Sequence, residues 1–359
     1  MLNTKIYGTI GPASYQKETL VAMIKNGLSG LRINLSHGNL NTYQNWIENI
    51  REAERKCDKK INIIADVQGP EIRASLIDQK EIILNTDEIV YLLTEDISTN
   101  FLLNANKIVI NYPLLSKEIK EGQIILIDDG LIKLQVLSVD NNKKNNDNNI
   151  FKKKDKSGKI KCKVIQGGKL ANKKGVNIPN LLLDIPSLTE KDKDDIKLGI
   201  ELGVNSIMLP FTRTLEDVMI LRNYLDSING HKLKILAKIE NQEGIDNLST
   251  FIEKIDAVVI ARGDLGVEIG LSKVPIAQKE IIKLCNQYNK PSIVVTHMLE
   301  SMIKYPLPTR AEISDIANAV LDGCTEVMLT GETAIGNYPI KAIQFMKETI
   351  KETENWSRS

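Results

Sequence analysis

A lysine and a glutamate interrupt one apolar segment of the chain. Residues 235–240 read Ile-Leu-Ala-Lys-Ile-Glu, which is the pattern of a buried β-strand. Side chains alternate between the two faces of a strand, so Lys238 and Glu240 project from the same side. Two opposite charges on one face of a core strand are costly unless they pair with each other or hold a ligand. Two interpretations are therefore open, a satisfied internal ion pair and a catalytic site.

Polar residues also gather where other predicted strands end. In a barrel of parallel strands these ends meet at one mouth, which is where active sites lie. Six of the eight predicted strands end in this way, and solvent exposure alone does not explain so many. Besides Lys238 and Glu240, the polar groups are Arg32, Asn34 and Ser36, then Asp66, residues 262–266, Thr296 with His297, and residues 330–332.

The residue types indicate phosphoryl chemistry. Glu240 and Asp264 follow neighbouring predicted strands and are hard oxygen ligands, suited to one Mg²⁺ that keeps positions open for substrate. Arg32, Arg73 and Lys238 supply three cations that could surround a phosphoryl group. Phosphoryl transfer depends on this kind of positioning and charge neutralisation.

Two further features admit either a ligand or a structural role. Residues 263–266 are predicted to open a short helix, whose free N–H groups could hold a carboxylate or a phosphate. Asn34, Ser36 and Asp66 form an oxygen cluster of low charge that suits a monovalent cation. For these three residues the types alone favour capping of a helix or turn.

Eight strand-then-helix units recur along the chain and predict an α/β fold, a (β/α)8 TIM barrel. An open doubly wound sheet is the alternative, but no Gly-rich dinucleotide loop opens the first helix. The barrel is predicted to occupy residues 1–71 and 185–359. Its strands are predicted at residues 5–10, 30–35, 61–66, 206–209, 234–239, 257–261, 292–296 and 326–329.

Residues 72–184 have a different pattern. Short β-rich segments alternate there with Asn, Asp and Gly turns, which predicts a small β-barrel-like domain inserted after the third strand. Residues 141–158 are mostly Asn, Lys and Asp, with too little apolar content to fold. They are predicted to form a disordered loop.

Composition narrows the functional classes. The 359 residues are 42% hydrophobic and 26% charged, which suits a soluble protein with one large and one small domain. A net charge of +1 gives no argument for nucleic-acid or membrane binding. Four widely spaced cysteines indicate a reducing compartment rather than disulfides or zinc. With no signal peptide before the first strand, a cytoplasmic protein is expected, or one in an organelle lumen if a leader has been removed.

An ordered set of motifs resembles the pyruvate kinase family over nearly the whole chain. Residues 32–38 (Arg-Ile-Asn-Leu-Ser-His-Gly) are similar to its phosphate and potassium segment. Residues 69–73 (Gly-Pro-Glu-Ile-Arg) resemble the hinge into its mobile lid domain, and residues 174–179 resemble the return from it. The remaining matches are residues 9–14, 237–241, 262–268, 298–302 and 308–323.

The resemblance implies phosphoryl transfer from phosphoenolpyruvate to ADP, giving pyruvate and ATP in the last step of glycolysis. It implies that Glu240 and Asp264 bind Mg²⁺ (or Mn²⁺), and that Lys238 stabilises the phosphoryl group in transfer. Thr296 lies by the enolate carbon, and the N–H groups of Gly263 and Asp264 hold the carboxylate. The implied phosphate and nucleotide groups are Arg32, Asn34, His37, Arg73 and Lys174. The implied K⁺ ligands are Asn34, Ser36, Asp66 and the carbonyl of Val67.

The chain departs from the family pattern at several positions. Val67 and Gln68 stand where the family usually has Thr and Lys, Pro210 replaces a Ser, and His297 replaces a Gln. The sequence also ends after the eighth helix, where the family has a C-terminal effector domain. No effector control is therefore expected, and a fragment is the open alternative. The family forms homotetramers, so the resemblance implies a homo-oligomer. The missing domain weakens that implication.

Two other functions fit some of these residues. A metal-dependent aldolase or lyase acting on a pyruvate enolate would share the barrel and the metal carboxylates, but would not need Lys238 with two arginines. A catalytically impaired relative of pyruvate kinase, kept for binding, is the other alternative. Loss of Lys238 or of the metal pair would favour it, and neither is lost.

Overall fold

The computed structural model describes residues 2–77, 79–94, 107–140, 158–179, 181 and 185–357, with the side chains of His37 and Lys107 excepted. The chain divides into two compact units. The barrel unit comprises Met1–Pro70 and Pro186–Ser359, and the smaller unit comprises Glu71–Ile185. Of the segment predicted to be a disordered loop, residues 141–157 lie outside the described residues.

Eight parallel strands close the barrel unit into a cylinder, which confirms the predicted (β/α)8 fold. Each strand pairs with the next along the chain, and the last pairs with the first. The order is regular because helix-containing crossovers join each strand to its parallel neighbour. The strands are Lys5–Thr9, Leu28–Asn34, Asn62–Asp66, Ser206–Leu209, Lys234–Ile239, Ala257–Ala261, Ser292–Val295 and Glu326–Met328.

The barrel strands are apolar on both faces because helices cover the outside and side chains fill the inside. In the fifth strand, Ile235, Ala237 and Ile239 pack into the core shared with the helices. Leu236 packs into the separate cluster inside the cylinder. Lys238 has the same parity as Leu236, so its side chain also enters the cylinder, at the end where the strand finishes.

In the described part of the barrel unit eight long helices surround the cylinder, and several begin at a side-chain cap. Thr189, Thr214 and Thr309 each form a capping box with an acidic residue three positions later, which satisfies N–H groups at the helix start. Among the described residues no helix is both long and apolar enough to cross a membrane. The eight helices are Lys17–Lys25, Gln44–Cys57, Glu190–Glu201, Leu215–Ser227, Gln242–Phe251, Val274–Gln287, Arg310–Leu321 and Pro339–Trp356.

The smaller unit is a second closed barrel of seven strands, as the β-barrel-like insertion predicts. Its interior is an apolar cluster of its own, which includes Leu134 and Cys162. The described part of the unit also contains a two-stranded sheet of Glu81–Leu84 and Gly168–Ala171 and the short helix Leu115–Glu118. Its barrel strands are Arg73–Leu76, Ile89–Leu93, Lys107–Ile110, Ile124–Ile127, Ile132–Asp140, Lys159–Gln166 and Lys174–Asn177.

Candidate active site

Two cations and two carboxylates alternate at the mouth of the barrel unit. Lys238 Nζ lies 2.8 Å from Glu240 Oε1 and 3.7 Å from Asp66 Oδ1. Arg32 grips the other oxygen of Asp66, with Nη2 at 2.6 Å and Nε at 2.7 Å from Oδ2. The ends of the second, third and fifth strands bring these residues together. Lys238 and Glu240 thus form an ion pair, and Asp66 extends the pair into a network.

Glu240 is fixed by a backbone group that carries no signal in the sequence. Only 1% of the residue is exposed, and its Oε2 accepts a hydrogen bond of 2.6 Å from the N–H of Phe211. Phe211 follows the fourth strand with a φ of 50°, a left-handed conformation that is uncommon for a bulky residue. The turn after the fourth strand therefore aims one donor at the buried carboxylate.

Burial and neighbouring charges shift the pKa values of Lys238 and Glu240 to different extents. Burial alone would lower the pKa of Lys238, but the carboxylates of Asp66, Glu240 and Asp264 outweigh it and raise the pKa above its ordinary value. Burial, together with the nearby charge of Asp264, raises the pKa of Glu240 to about 7, although Lys238 and the Phe211 N–H oppose the rise. Lys238 is therefore cationic. The positive charge around Glu240 is too small to offset the effect of burial on the pKa of its carboxyl group.

The carboxylates at this mouth have unused oxygen atoms. Glu240 Oε1 and Asp66 Oδ1 are buried and accept no hydrogen bond from any described residue, although both face the Lys238 ammonium as ion pairs. Asp264 lies in the first turn of the helix Arg262–Ile269, which confirms the short helix predicted there. No group of three or more His, Cys, Asp or Glu that could hold a metal is found in the described part. Glu240 has an unused oxygen and Asp264 lies close enough for its charge to act on Glu240, so this pair still fits one divalent ion that keeps open positions.

The predicted potassium segment has a structural role that the structure shows directly. Asn34 Oδ1 accepts a hydrogen bond of 3.1 Å from the N–H of Ser36 and so caps the short 3₁₀ turn Leu35–His37. The capping interpretation is therefore confirmed for Asn34. Val67 follows Asp66 directly, and its N–H donates to the carbonyl of Met208 at 3.4 Å.

The turn after the seventh strand lies against the start of the helix that holds Asp264. A methyl group added at Gly263 would lie 3.0 Å from Thr296 Cγ2, so glycine leaves the space that this side chain occupies. Arg262 bonds the backbone of the same turn, with Nη2 2.6 Å from the Thr296 carbonyl oxygen. The structure thus places Thr296 beside Gly263.

Arg73 and Lys174 belong to the smaller unit, where they sit on paired strands. The Arg73 guanidinium is held by Glu71 and donates to the carbonyl of Lys173 at 2.6 Å. Lys174 Nζ lies 2.9 Å from Asp128 Oδ1. The side chain of His37 lies outside the described residues. The assignments of these three residues to phosphate or nucleotide stay predictions.

One polar strand end has a structural role instead of a catalytic one. Glu332, after the eighth strand, is fully buried and accepts N–H groups from Leu299 and Thr330 at 2.8 Å and 2.7 Å. A buried carboxylate that accepts two backbone bonds ties two loops together and has little freedom for chemistry. The sequence pattern did not distinguish it from the metal carboxylates, because both types follow a strand end.

Comparisons with known proteins agree with this geometry. The family model described as the pyruvate kinase barrel domain matches residues 1–343. Pyruvate kinases of Bacillus licheniformis, Geobacillus stearothermophilus and Sporosarcina psychrophila are 42%, 41% and 41% identical to the chain over 99%, 98% and 99% of its length. The matched region is 57% of each relative, so the chain spans little more than half their length. On its barrel, its strand-end residues and these matches, the chain belongs to the pyruvate kinase family.

Proposed function

We propose that this protein transfers a phosphoryl group from phosphoenolpyruvate to ADP, giving pyruvate and ATP. One observation carries the proposal, the cationic Lys238 held between Asp66 and Glu240 at the mouth of the barrel. An ammonium ion in a largely buried site stabilises the charge of a phosphoryl group in transfer far more than it would in water. The resemblance of nearly the whole chain to pyruvate kinases supports the same assignment.

The residues of the barrel unit have separate roles in the proposed reaction. The P–O bond to the enol oxygen breaks while a P–O bond to the terminal phosphate oxygen of ADP forms, and Lys238 neutralises the charge of the group between them. Arg32, fixed by Asp66, binds a phosphate oxygen. The N–H groups of Gly263 and Asp264, at the start of their helix, bind the substrate carboxylate. The enolate then takes a proton on its terminal carbon from a water that Thr296 orients.

Glu240 and Asp264 would hold Mg²⁺, or Mn²⁺ in its place. When bound, the ion neutralises charge on the phosphoryl group and on the enolate oxygen. Asn34, Ser36, Asp66 and the Val67 carbonyl would hold K⁺, and the supporting feature is that Asp66 Oδ1 accepts no hydrogen bond from any described residue. Arg73, Lys174 and His37 would contact the nucleotide phosphates, with the smaller unit acting as a lid.

The test is ATP formation from phosphoenolpyruvate and ADP by the purified chain. We expect formation of ATP with Mg²⁺ and K⁺, a loss of turnover when Mg²⁺ is chelated, and a large decrease when K⁺ is replaced by tetramethylammonium. An aldolase or lyase would form no ATP but would consume pyruvate together with an aldehyde. An impaired relative would bind phosphoenolpyruvate without turnover, and either result would contradict the proposal.

We further propose that the protein is cytoplasmic and forms a homo-oligomer. All four cysteines are free, which supports a reducing compartment. Its family is the support for self-association, and light scattering on the eluted protein measures it directly. A single species at the 40.2 kDa mass of one chain would contradict the homo-oligomer.

A further inference from the structure

The turn that follows the seventh barrel strand has two consecutive residues in a left-handed conformation. Thr296 has a φ of 76° and His297 a φ of 55°. This conformation is a genuine outlier for a β-branched residue such as threonine. It persists only where surrounding contacts determine it, so groups outside the turn must hold Thr296 in place.

The Arg262 side chain makes most of those contacts. Its Nη2 donates to the Thr296 carbonyl at 2.6 Å, and its Nε lies 3.3 Å from the carbonyls of both Val295 and Thr296. Nη2 also lies 2.9 Å from Met298 Sδ. One guanidinium therefore contacts the residue before the turn, the first strained residue and a residue after the turn. A lysine ammonium could not reproduce this fork of donors.

Arg262 is itself locked from the other side. Asp315, in the helix Arg310–Leu321, binds it through two oxygens, each 2.8 Å from a guanidinium nitrogen. The buried Gln278 accepts from Nη1 at 3.3 Å. The exit of the turn is fixed separately, by the bond from the Leu299 N–H to Glu332. A bidentate pair of this kind restricts the orientation of the guanidinium as well as its position.

We propose that Arg262, held by Asp315, is a positioning residue that keeps Thr296 where its hydroxyl orients the proton donor. The inference rests on the proposed function, because Thr296 matters only if an enolate is protonated beside it. Arg262 touches no reacting atom in this account and acts through the backbone of the turn alone. A misplacement of about 1 Å in such a group costs on the order of 10²-fold in rate.

A double-mutant cycle in turnover tests this inference. We expect Arg262→Lys to lower kcat about 10- to 100-fold with a smaller change in KM, and Asp315→Asn to lower it less. The double variant Arg262→Lys/Thr296→Ala should be no slower than Thr296→Ala alone, because both changes remove one function. Arg51→Lys is the matched control, since Arg51 also binds a carboxylate and a carbonyl, those of Glu54 and Gly203, at the opposite end of the barrel.

Two results would overturn the inference. One is a kcat of Arg262→Lys equal to that of the parent chain. The other is a multiplicative loss in the double variant, which would show that Arg262 acts independently of Thr296. A parent chain with no turnover would instead contradict the proposed function. In that case amide hydrogen exchange of residues 296–302 tests whether Arg262 holds the turn. In Arg262→Lys the amides of residues 296–302 should exchange at least about tenfold faster than in the parent chain, and in Arg51→Lys they should not. Unchanged exchange in Arg262→Lys would refute the positioning role.

Discussion

Lys238 is the residue on which the proposed chemistry depends, and its environment explains how a lysine can stay charged inside a barrel. Only 15% of its side chain is exposed, which alone would favour the neutral amine. Three carboxylates reverse that preference. The arrangement also explains why Asp66 matters, since it orients Arg32 with one oxygen and faces Lys238 with the other.

Glu240 makes the stability of the metal-free protein depend on pH. Its pKa is raised from 4.5 to about 7 in the folded chain, mainly by burial, so the folded state retains a proton that the unfolded state has lost between these pH values. The stabilisation by this retained proton is fully present below pH 4.5. As the pH rises from 4.5 to 7, the free energy of unfolding falls by up to about 1.4 kcal/mol per pH unit.

We expect Glu240→Gln to remove this dependence while it keeps the bond from the Phe211 N–H. The free energy of unfolding, measured by urea titration in EDTA from pH 4.5 to pH 7, should fall more steeply in the parent chain than in the variant. Parallel curves for the two proteins would contradict the assigned environment of Glu240.

At the scale of elements, apolar runs made most of the barrel predictable. The strands Ser206–Leu209, Lys234–Ile239 and Ala257–Ala261 have the predicted bounds, because buried parallel strands are apolar on both faces. The strands Arg73–Leu76 and Lys174–Asn177 of the smaller unit were not predicted. Each has four residues and begins with a charged one, so pairing partners distant in sequence decide their conformation.

The candidate site was predictable in its side chains but not in its backbone contacts. Lys238 and Glu240 could be placed on one face from strand periodicity alone. The sequence does not predict the N–H donor of Phe211 or the bonds of Arg262 to the turn after the seventh strand. These contacts involve backbone amides and carbonyls, which every residue type carries. The link from Asp66 to Lys238 also depends on closure of the barrel, which brings the third and fifth strands together.

The strand ends that flank residues 141–157 predict that this segment can be shortened. Asp140 and Lys159 are direct partners in an antiparallel pair, so the two strands meet without the intervening residues. Deletion of residues 142–156 leaves a three-residue connection that contains Gly158, a favourable hairpin length. Turnover and the melting temperature should stay close to those of the parent chain, and a collapse of turnover would show that the segment contributes to function.

At the scale of the whole molecule, each of the two units has an apolar core of its own. The cores of the barrel unit lie inside and around the cylinder, and that of the smaller unit lies within its seven strands. Units with separate cores can open separately, because loss of packing in one does not expose the core of the other. The smaller unit can therefore open while the barrel unit stays folded.

Matched cavity mutations test this independence. Leu134 in the smaller unit and Leu221 in the barrel unit are both fully buried, and replacement of either by alanine should cost about 2–5 kcal/mol. Hydrogen exchange followed by mass spectrometry should show faster exchange of the smaller unit in Leu134→Ala and of the barrel unit in Leu221→Ala. Equal acceleration in both units by either variant would show that the chain unfolds as one cooperative body.

The most direct test of phosphoryl transfer at this mouth is the turnover of Lys238→Met, measured as ATP formed from phosphoenolpyruvate and ADP. The control is Lys59→Met, since Lys59 is an exposed residue whose ammonium bonds only the carbonyl of Leu28 among the described residues. We expect Lys238→Met to bind Mn²⁺ and phosphoenolpyruvate. Its kcat should fall by at least about 10³-fold, because the variant lacks one positive charge that stabilises the transition state. Near-normal turnover of Lys238→Met would contradict the account.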